Sequence, residues 1–370
     1  MTISAIILFL IILVVLILSH EFGHFLAAKL FNIKVEEFGL GFPPRAFDWK
    51  KGETTYTINW LPFGGFVRML GEDPGEEVPE EQRERSFSHA KAPKRALVIV
   101  AGVLFNLLLA WILISAGFLT GMPTPLGMAP TAAVVENAKL IVTEVRPDSP
   151  ALGAGLLVGD TIISLKDNES KERLTAPTPE SLQDFIASRA DRPLTVTYSR
   201  GAAQTIEAII TPKTGIIADR GAIGIAMDMI GTVKLPLHLA LWEGGKLTLS
   251  LTEATGRAFG ALISDAFRGE GDMATITGPV GIIGLVGDAS HFGFVYLLGL
   301  TAIISINLAI INILPIPALD GGHFIVLIIE AISRKKISAA ILARVNTAFF
   351  FLLIALMLVI TVFDISKLIG

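Results

Sequence analysis

Apolar residues fall into four long runs, 3–26, 96–119, 292–314 and 345–363, each long enough to cross a bilayer as a helix. Residues 3–18 carry no charge, glycine or proline. A fifth run, 323–332, is too short to cross alone. It follows Pro315, Pro317 and Asp320-Gly321-Gly322, so the third span reads as broken and then resumed.

Between the runs the pattern changes period. Thr54-Thr55-Tyr56-Thr57-Ile58-Asn59-Trp60 is rich in β-formers, and Leu61-Pro62-Phe63-Gly64-Gly65-Phe66-Val67 follows with turn residues. This predicts a hairpin that dips toward the membrane or lies on the surface. An edge strand there could hold an extended peptide by strand addition. Residues 71–84 are acidic and read as a surface stretch. Residues 136–215 read as a compact polar domain, with strands over 140–145, 161–165, 194–199 and 204–211, a tight turn at Gly159-Asp160 and a helix over 181–190. Residues 236–270 are amphipathic and fit either a membrane surface or the polar domain. The glycines of Gly278-Pro279-Val280-Gly281 suit turns or close helix contact.

The expected division is therefore 1–119 with two spans and the hairpin, a linker over 120–135, the polar domain over 136–215, a connecting segment over 216–291, and two further spans in 292–370. Lys and Arg crowd the 29–95 loop and the 333–336 connection, while few flank the termini. By the positive-inside rule both basic connections face the cytoplasm, and both termini and the polar domain lie outside.

Composition supports a multi-span protein with a polar part: 52% of the 370 residues are hydrophobic, 17% are charged, and mean hydropathy is +0.64. The formal net charge of −4 gives no argument for nucleic acid. Without cysteine, neither a disulfide scaffold nor a thiolate metal site is possible. The first run lacks a basic leader and a small-residue cleavage site, and it reads as a retained span.

The first span ends in Ser19-His20-Glu21-Phe22-Gly23-His24. On a helix, His20 and His24 sit one turn apart on one face, about 6 Å along the axis. Two neutral imidazoles so placed suit Zn²⁺, and Glu21 beside them suits a general base for a metal-activated water. A plain amphipathic helix end fits poorly, because ionisable groups at membrane depth are costly. Catalytic zinc takes a third protein ligand. Asp320 is the best donor, with a helix N-cap as its bland alternative and His323 as the second-ranked ligand. Asn106, in the second span, needs a polar partner, and a bond to a neighbouring helix is favoured slightly over support of the metal.

Taken together, His20-Glu21-Phe22-Gly23-His24, the segment Asn312-Ile313-Leu314-Pro315-Ile316-Pro317-Ala318-Leu319-Asp320-Gly321-Gly322, and a polar domain between spans two and three resemble the site-2 proteases. These are intramembrane zinc metalloproteases, and the likeness is to the bacterial PDZ-containing branch. The resemblance implies four transmembrane helices, a membrane-associated β-hairpin and one extracytoplasmic PDZ-like domain, in the bacterial cytoplasmic membrane. It implies zinc held by His20, His24 and Asp320, with Glu21 as the catalytic acid and base. Asn312 is then expected to contact substrate backbone, and the hairpin (Tyr56, Ile58, Gly64 and Gly65) to present the substrate as an added strand. Partners implied are the lipid bilayer, single-span substrates such as anti-sigma factors or remnant signal peptides, cut after an earlier outer cleavage, and a peptide or chain end at the PDZ-like domain. A non-catalytic PDZ adaptor is the competing reading. A transporter is another, though the chain lacks the paired halves that transporters often show.

Overall fold

The structure, a computed structural model, describes residues 2–73, 75–131, 133–201, 204–217, 220–269 and 277–369. It divides into two compact units, Met1–Ala116 with Leu241–Gly370, and Gly117–Ala240.

The first unit is helical. Four helices are long and apolar enough to cross a membrane: α1 (Ile3–Leu30), α2 (Ala92–Thr120), α7 (Phe294–Ile313) and α9 (Ala339–Ile369). Each contains or nearly matches one of the apolar runs. Thr2 opens α1 by accepting a hydrogen bond from the Ala5 N–H, 3.3 Å away. α9 leaves most of its large side chains exposed, as expected of a helix apolar on every face. Pro315 ends α7, because the residue before a proline is driven out of the helical region, and Leu314 is extended at φ −60°, ψ 145°. The short fifth run becomes α8 (Asp320–Ser333). Two further helices precede α7: α5 (Leu237–Arg268) and α6 (Pro279–Phe292). The amphipathic stretch is thus one continuous helix, and the glycine-rich segment after it is helical as well.

β1 (Val35–Lys51) and β2 (Thr54–Met69) build the expected hairpin, which bends back on itself. Leu40, for example, pairs with both Gly65 and Ile58, while Trp49 pairs with Tyr56. Tyr56 and Ile58 therefore lie in a central run with partners on both sides. Residues 65–68 pair only with 37–40. Gly64, at φ +100°, supplies the left-handed backbone where β2 turns toward its last segment. Ala28, Ile33, Val35, Val67, Val98 and Leu327 pack into one buried cluster that ties the hairpin to α1, α2 and α8.

The second unit is built on a sheet with strand order β3-β11-β4-β5-β7-β8, with β6 added on β5. Its strands are β3 (Met122–Pro125), β4 (Val135–Val145), β5 (Thr161–Asp167), β6 (Arg173–Thr175), β7 (Leu194–Arg200), β8 (Gln204–Ile210) and β11 (Ile225–Val233). β9 (Lys213–Ile217) and β10 (Arg220–Ala222) form a separate ribbon. The short α3 (Pro150–Gly153) follows β4. α4 (Pro179–Ala187) is set by a Thr178–Ser181 capping box and buries Leu182, Phe185 and Ile186 in the core with Leu140, Leu165 and Val196. The strands and helix expected over 136–215 are present. The sheet extends further beyond β4, first by β11 and then by β3, so the region read as a connecting segment supplies a strand lying between β3 and β4.

Candidate metal centre

α1 runs through the His-Glu-x-x-His motif without a break, so His20 and His24 share a face. That face meets α2 at close range because of two glycines. A Cβ on Gly23 would lie 2.4 Å from the Ala101 carbonyl oxygen, and one on Gly102 would lie 2.3 Å from His24 Nε2 and 2.7 Å from His20 Cε1. Small residues of this kind let membrane helices approach closely. Val98, Gly102 and Asn106 recur every fourth residue and form the stripe of α2 that receives the imidazoles. His24 Nδ1 lies 2.8 Å from the Val98 carbonyl oxygen. A carbonyl only accepts, so Nδ1 carries a proton, and in the neutral ring Nε2 then keeps its lone pair.

Asp320 arrives from the other end of the chain. The segment between α7 and α8 is held by hydrogen bonds from Ile316 N–H to Leu314 and from Leu319 N–H to Ile316, and Ala318 takes the left-handed φ of +73°. Gly321 and Gly322 are needed here. A Cβ on Gly321 would sit 2.1 Å from the Leu314 oxygen, and one on Gly322 would sit 2.4 Å from the Ile316 oxygen. The N-cap of α8 is Leu319, so Asp320 is the first helical residue and its carboxylate is free to point elsewhere.

It points at the two histidines. Asp320 Oδ2 lies 3.1 Å from His20 Nε2 and 3.3 Å from His24 Nε2, and the two Nε2 atoms are 3.2 Å apart. A tetrahedral zinc with ligands at about 2.0–2.1 Å requires ligand–ligand edges of about 3.3 Å. The three donor atoms already describe one face of such a tetrahedron, and the donor set of two imidazoles and a carboxylate is one that zinc accepts. Among the described residues these three form the group of His, Asp and Glu able to hold an ion.

The cluster opens into a cavity of about 580 Å³ that Glu21, Gly65, Glu72, His89 and His323 also line. A Cβ on Gly65 would come within 2.9 Å of Glu21 Cγ, so the last segment of β2 runs directly past that side chain. His323 stands on the cavity wall but does not join the three converging atoms. Asn312, in the last turn of α7, is half-buried and is not among the cavity-lining residues. Tyr56 and Ile58 are likewise off the cavity, whereas Gly65, Phe66 and Val67 line it. Phe66 and Val67 escaped the sequence reading because only the folded register shows which segment of the hairpin is an edge. Gly102 escaped it too, since a glycine inside an apolar run signals only a close contact of unknown partner.

Comparison with known proteins accounts for this arrangement. The model of peptidase family M50 matches residues 8–356. A Clostridium perfringens protein, provisionally named a zinc metalloprotease, is 34% identical over 355 residues, 95% of each chain. The zinc metalloprotease RasP of Geobacillus kaustophilus is 30% identical over 99% of each chain. The regulator of sigma-W protease RasP of Bacillus subtilis is 29% identical over the full length of both. With two imidazoles, an acid and a neighbouring glutamate brought together between apolar helices, the chain belongs to peptidase family M50, the site-2 proteases, and is an intramembrane zinc metalloprotease.

Proposed function

We propose that the protein hydrolyses peptide bonds inside the membrane-spanning segment of single-span proteins, with His20, His24 and Asp320 as the zinc ligands and Glu21 as general acid and base. The observation that carries this reading is the meeting of Asp320 with both Nε2 atoms at 3.1 and 3.3 Å. When bound, zinc supplies a Lewis acid that polarises the scissile carbonyl and lowers the pKa of water from about 15.7 toward about 7. Glu21, on the cavity wall, takes a proton from the attacking water and hands it to the leaving amine nitrogen.

A helical substrate hides its carbonyl in its own hydrogen bonds and must be drawn out. The edge offered by residues 65–68, beside Glu21, suits an added substrate strand better than the doubly paired run holding Tyr56 and Ile58. Asn312 is proposed to hold substrate backbone as well. The basic 29–95 and 333–336 connections favour a cytoplasmic site with termini and sheet unit outside.

The sheet unit is read as a PDZ-like module. β3 covers β11 only from Ile230 to Val233, so the stretch from Ile225 to Met229 keeps one edge without a strand partner among the described residues. A groove of about 450 Å³ runs there, lined by Gln183 and Ile186 of α4 and by Ile223, Gly224, Ile225 and Met227. An extended chain end would fit it by strand addition. The name of the Bacillus subtilis relative, regulator of sigma-W protease, favours anti-sigma factors as substrates here, with remnant signal peptides beside them.

The test is zinc content together with cleavage of a single-span substrate. Glu21→Gln should keep zinc and lose about 10²–10⁴-fold in rate. Asp320→Ala should lose both zinc and activity. A Glu21→Gln enzyme working at the normal rate would refute the role given to that residue.

A further inference from the structure

His20 and His24 differ in what stands behind them. His24 is backed by the Val98 carbonyl, which fixes its tautomer. His20 is backed by Asn106, whose Nδ2 is placed 3.2 Å from His20 Nδ1. Asn106 is fully buried, and its Oδ1 has no hydrogen-bond partner. The two ends of an amide are distinguished by their hydrogen bonds, not by their shape.

The identity of the metal-facing nitrogen decides which end belongs next to His20. Nε2 is the atom that meets Asp320 and the other imidazole. For Nε2 to offer a lone pair, Nδ1 must carry the ring proton, and a protonated Nδ1 needs an acceptor. An amide NH₂ cannot accept. Turned over, the amide sets Oδ1 against Nδ1–H, and the oxygen gains the partner it lacks at the expense of an amide hydrogen. Ser305 Oγ donates to the Asn106 backbone oxygen at 2.8 Å, and Ser19 Oγ donates to the neighbouring Phe105 oxygen at 3.1 Å. The turn of α2 that carries Asn106 is thus pinned to α7 and α1.

We infer that Asn106 is a positioning residue for the metal centre: its side-chain oxygen accepts the Nδ1–H of His20 and so directs the Nε2 lone pair at zinc. The inference rests on His20 being a ligand. It makes Asn106 on α2 the counterpart of the Val98 carbonyl, so that a single stripe of one helix orients both imidazoles. Outer partners of this kind govern about 10–100-fold in metal affinity.

The experiment measures zinc affinity of the purified full-length protein by chelator competition, and the rise in melting temperature that zinc produces. Two variants of similar size separate hydrogen bonding from packing. Asn106→Leu fills the space but cannot accept, and it should weaken zinc binding about 10–100-fold and shrink the zinc-induced rise. Asn106→Asp can accept, and it should bind zinc within about threefold of wild type. The inference is overturned if Asn106→Leu binds zinc as wild type does, or if Asn106→Asp is as weak as Asn106→Leu. Should the Leu variant fail to fold, the Asp variant decides alone, because a loss of zinc there contradicts the acceptor role. A wild-type protein that binds no zinc overturns the metalloprotease reading itself, whereas tight wild-type binding that Asn106→Leu leaves unchanged overturns only this inference.

Discussion

The chemistry of the site is set by three donor atoms, and their spacing depends on residues with no side chain to offer. Gly102 leaves room for both imidazoles against α2, and an added methyl carbon would lie 2.3 Å from His24 Nε2. Such a contact forces the rings to shift, and their Nε2 atoms sit only 3.1 and 3.3 Å from Asp320 Oδ2. We expect Gly102→Ala to lower zinc content well below wild type while the helices still form, since alanine is the better helix residue. Zinc measured by metal analysis on monodisperse protein checks this, and a fully loaded alanine variant would show that the close approach is not needed. Gly321 and Gly322 do the equivalent work for the acid, letting α8 begin against the carbonyls that end α7.

At the scale of elements, the hairpin matters most, because it brings the strand edge of residues 65–68 to Glu21. Its far turn is anchored by Glu53, whose carboxylate lies 2.7 Å from Lys29 Nζ at the end of α1 and 2.7 Å from Arg85 Nη2. The Lys29 ammonium, and after it the Arg85 guanidinium, hold the Glu53 pKa below its ordinary 4.5. A carboxyl lowered on folding contributes stability that is present above 4.5 and lost as the pH falls through the lowered value. Wild-type protein should therefore lose more melting temperature between pH 7 and about 3.5 than Glu53→Gln, which has no proton to take up there. Equal losses in the two proteins would remove Glu53 from the account. Both partners are part-exposed, so the effect should shrink in high salt.

At the scale of the whole molecule, the sheet unit carries a buried ion pair of its own. Asp160 is 1% exposed, accepts from Arg200 at 2.8 and 2.7 Å, and also accepts from the Leu157 N–H at 2.8 Å. Asp160→Ala should cost about 2 kcal/mol, below the roughly 3–5 kcal/mol of a fully buried broken pair because Arg200 remains part-solvated. Denaturant unfolding reads this, and a change within about 0.5 kcal/mol would make the pair incidental. The same unit is proposed to select substrates. Deleting 136–215 would leave β3 and β11 without the strands they pack on, so the clean excision is 122–233, from the start of β3 to the end of β11. Met122 and Val233 are paired neighbours, about 5 Å apart at Cα, so a short glycine linker can rejoin α2 to α5. The excised protein should still cleave a trimmed single-span substrate and should now also accept one with its outer domain intact. If it discriminates as before, the sheet unit is not the filter.

How much of this was legible beforehand follows from the range of the interactions involved. Local rules act within a few residues, and they marked the four apolar spans, the break at Pro315 and Pro317, the histidine pair one turn apart, and the β-run at 54–60. They also brought His20, Glu21, His24 and Asp320 forward as the chemistry-bearing residues, because charge inside an apolar run is costly without a purpose. Distance in space along a folded chain has no local signature. Only the tertiary structure places Asp320 Oδ2 within 3.3 Å of both imidazoles, although hundreds of residues intervene. It alone shows that Asn106 stands behind His20, that residues 65–68 rather than Tyr56 and Ile58 form the hairpin edge beside Glu21, and that β11 inserts between β3 and β4. The short sequence Ile225-Ala226-Met227-Asp228-Met229 has little strand propensity of its own, and its pairing with β4 supplies what local preference lacks.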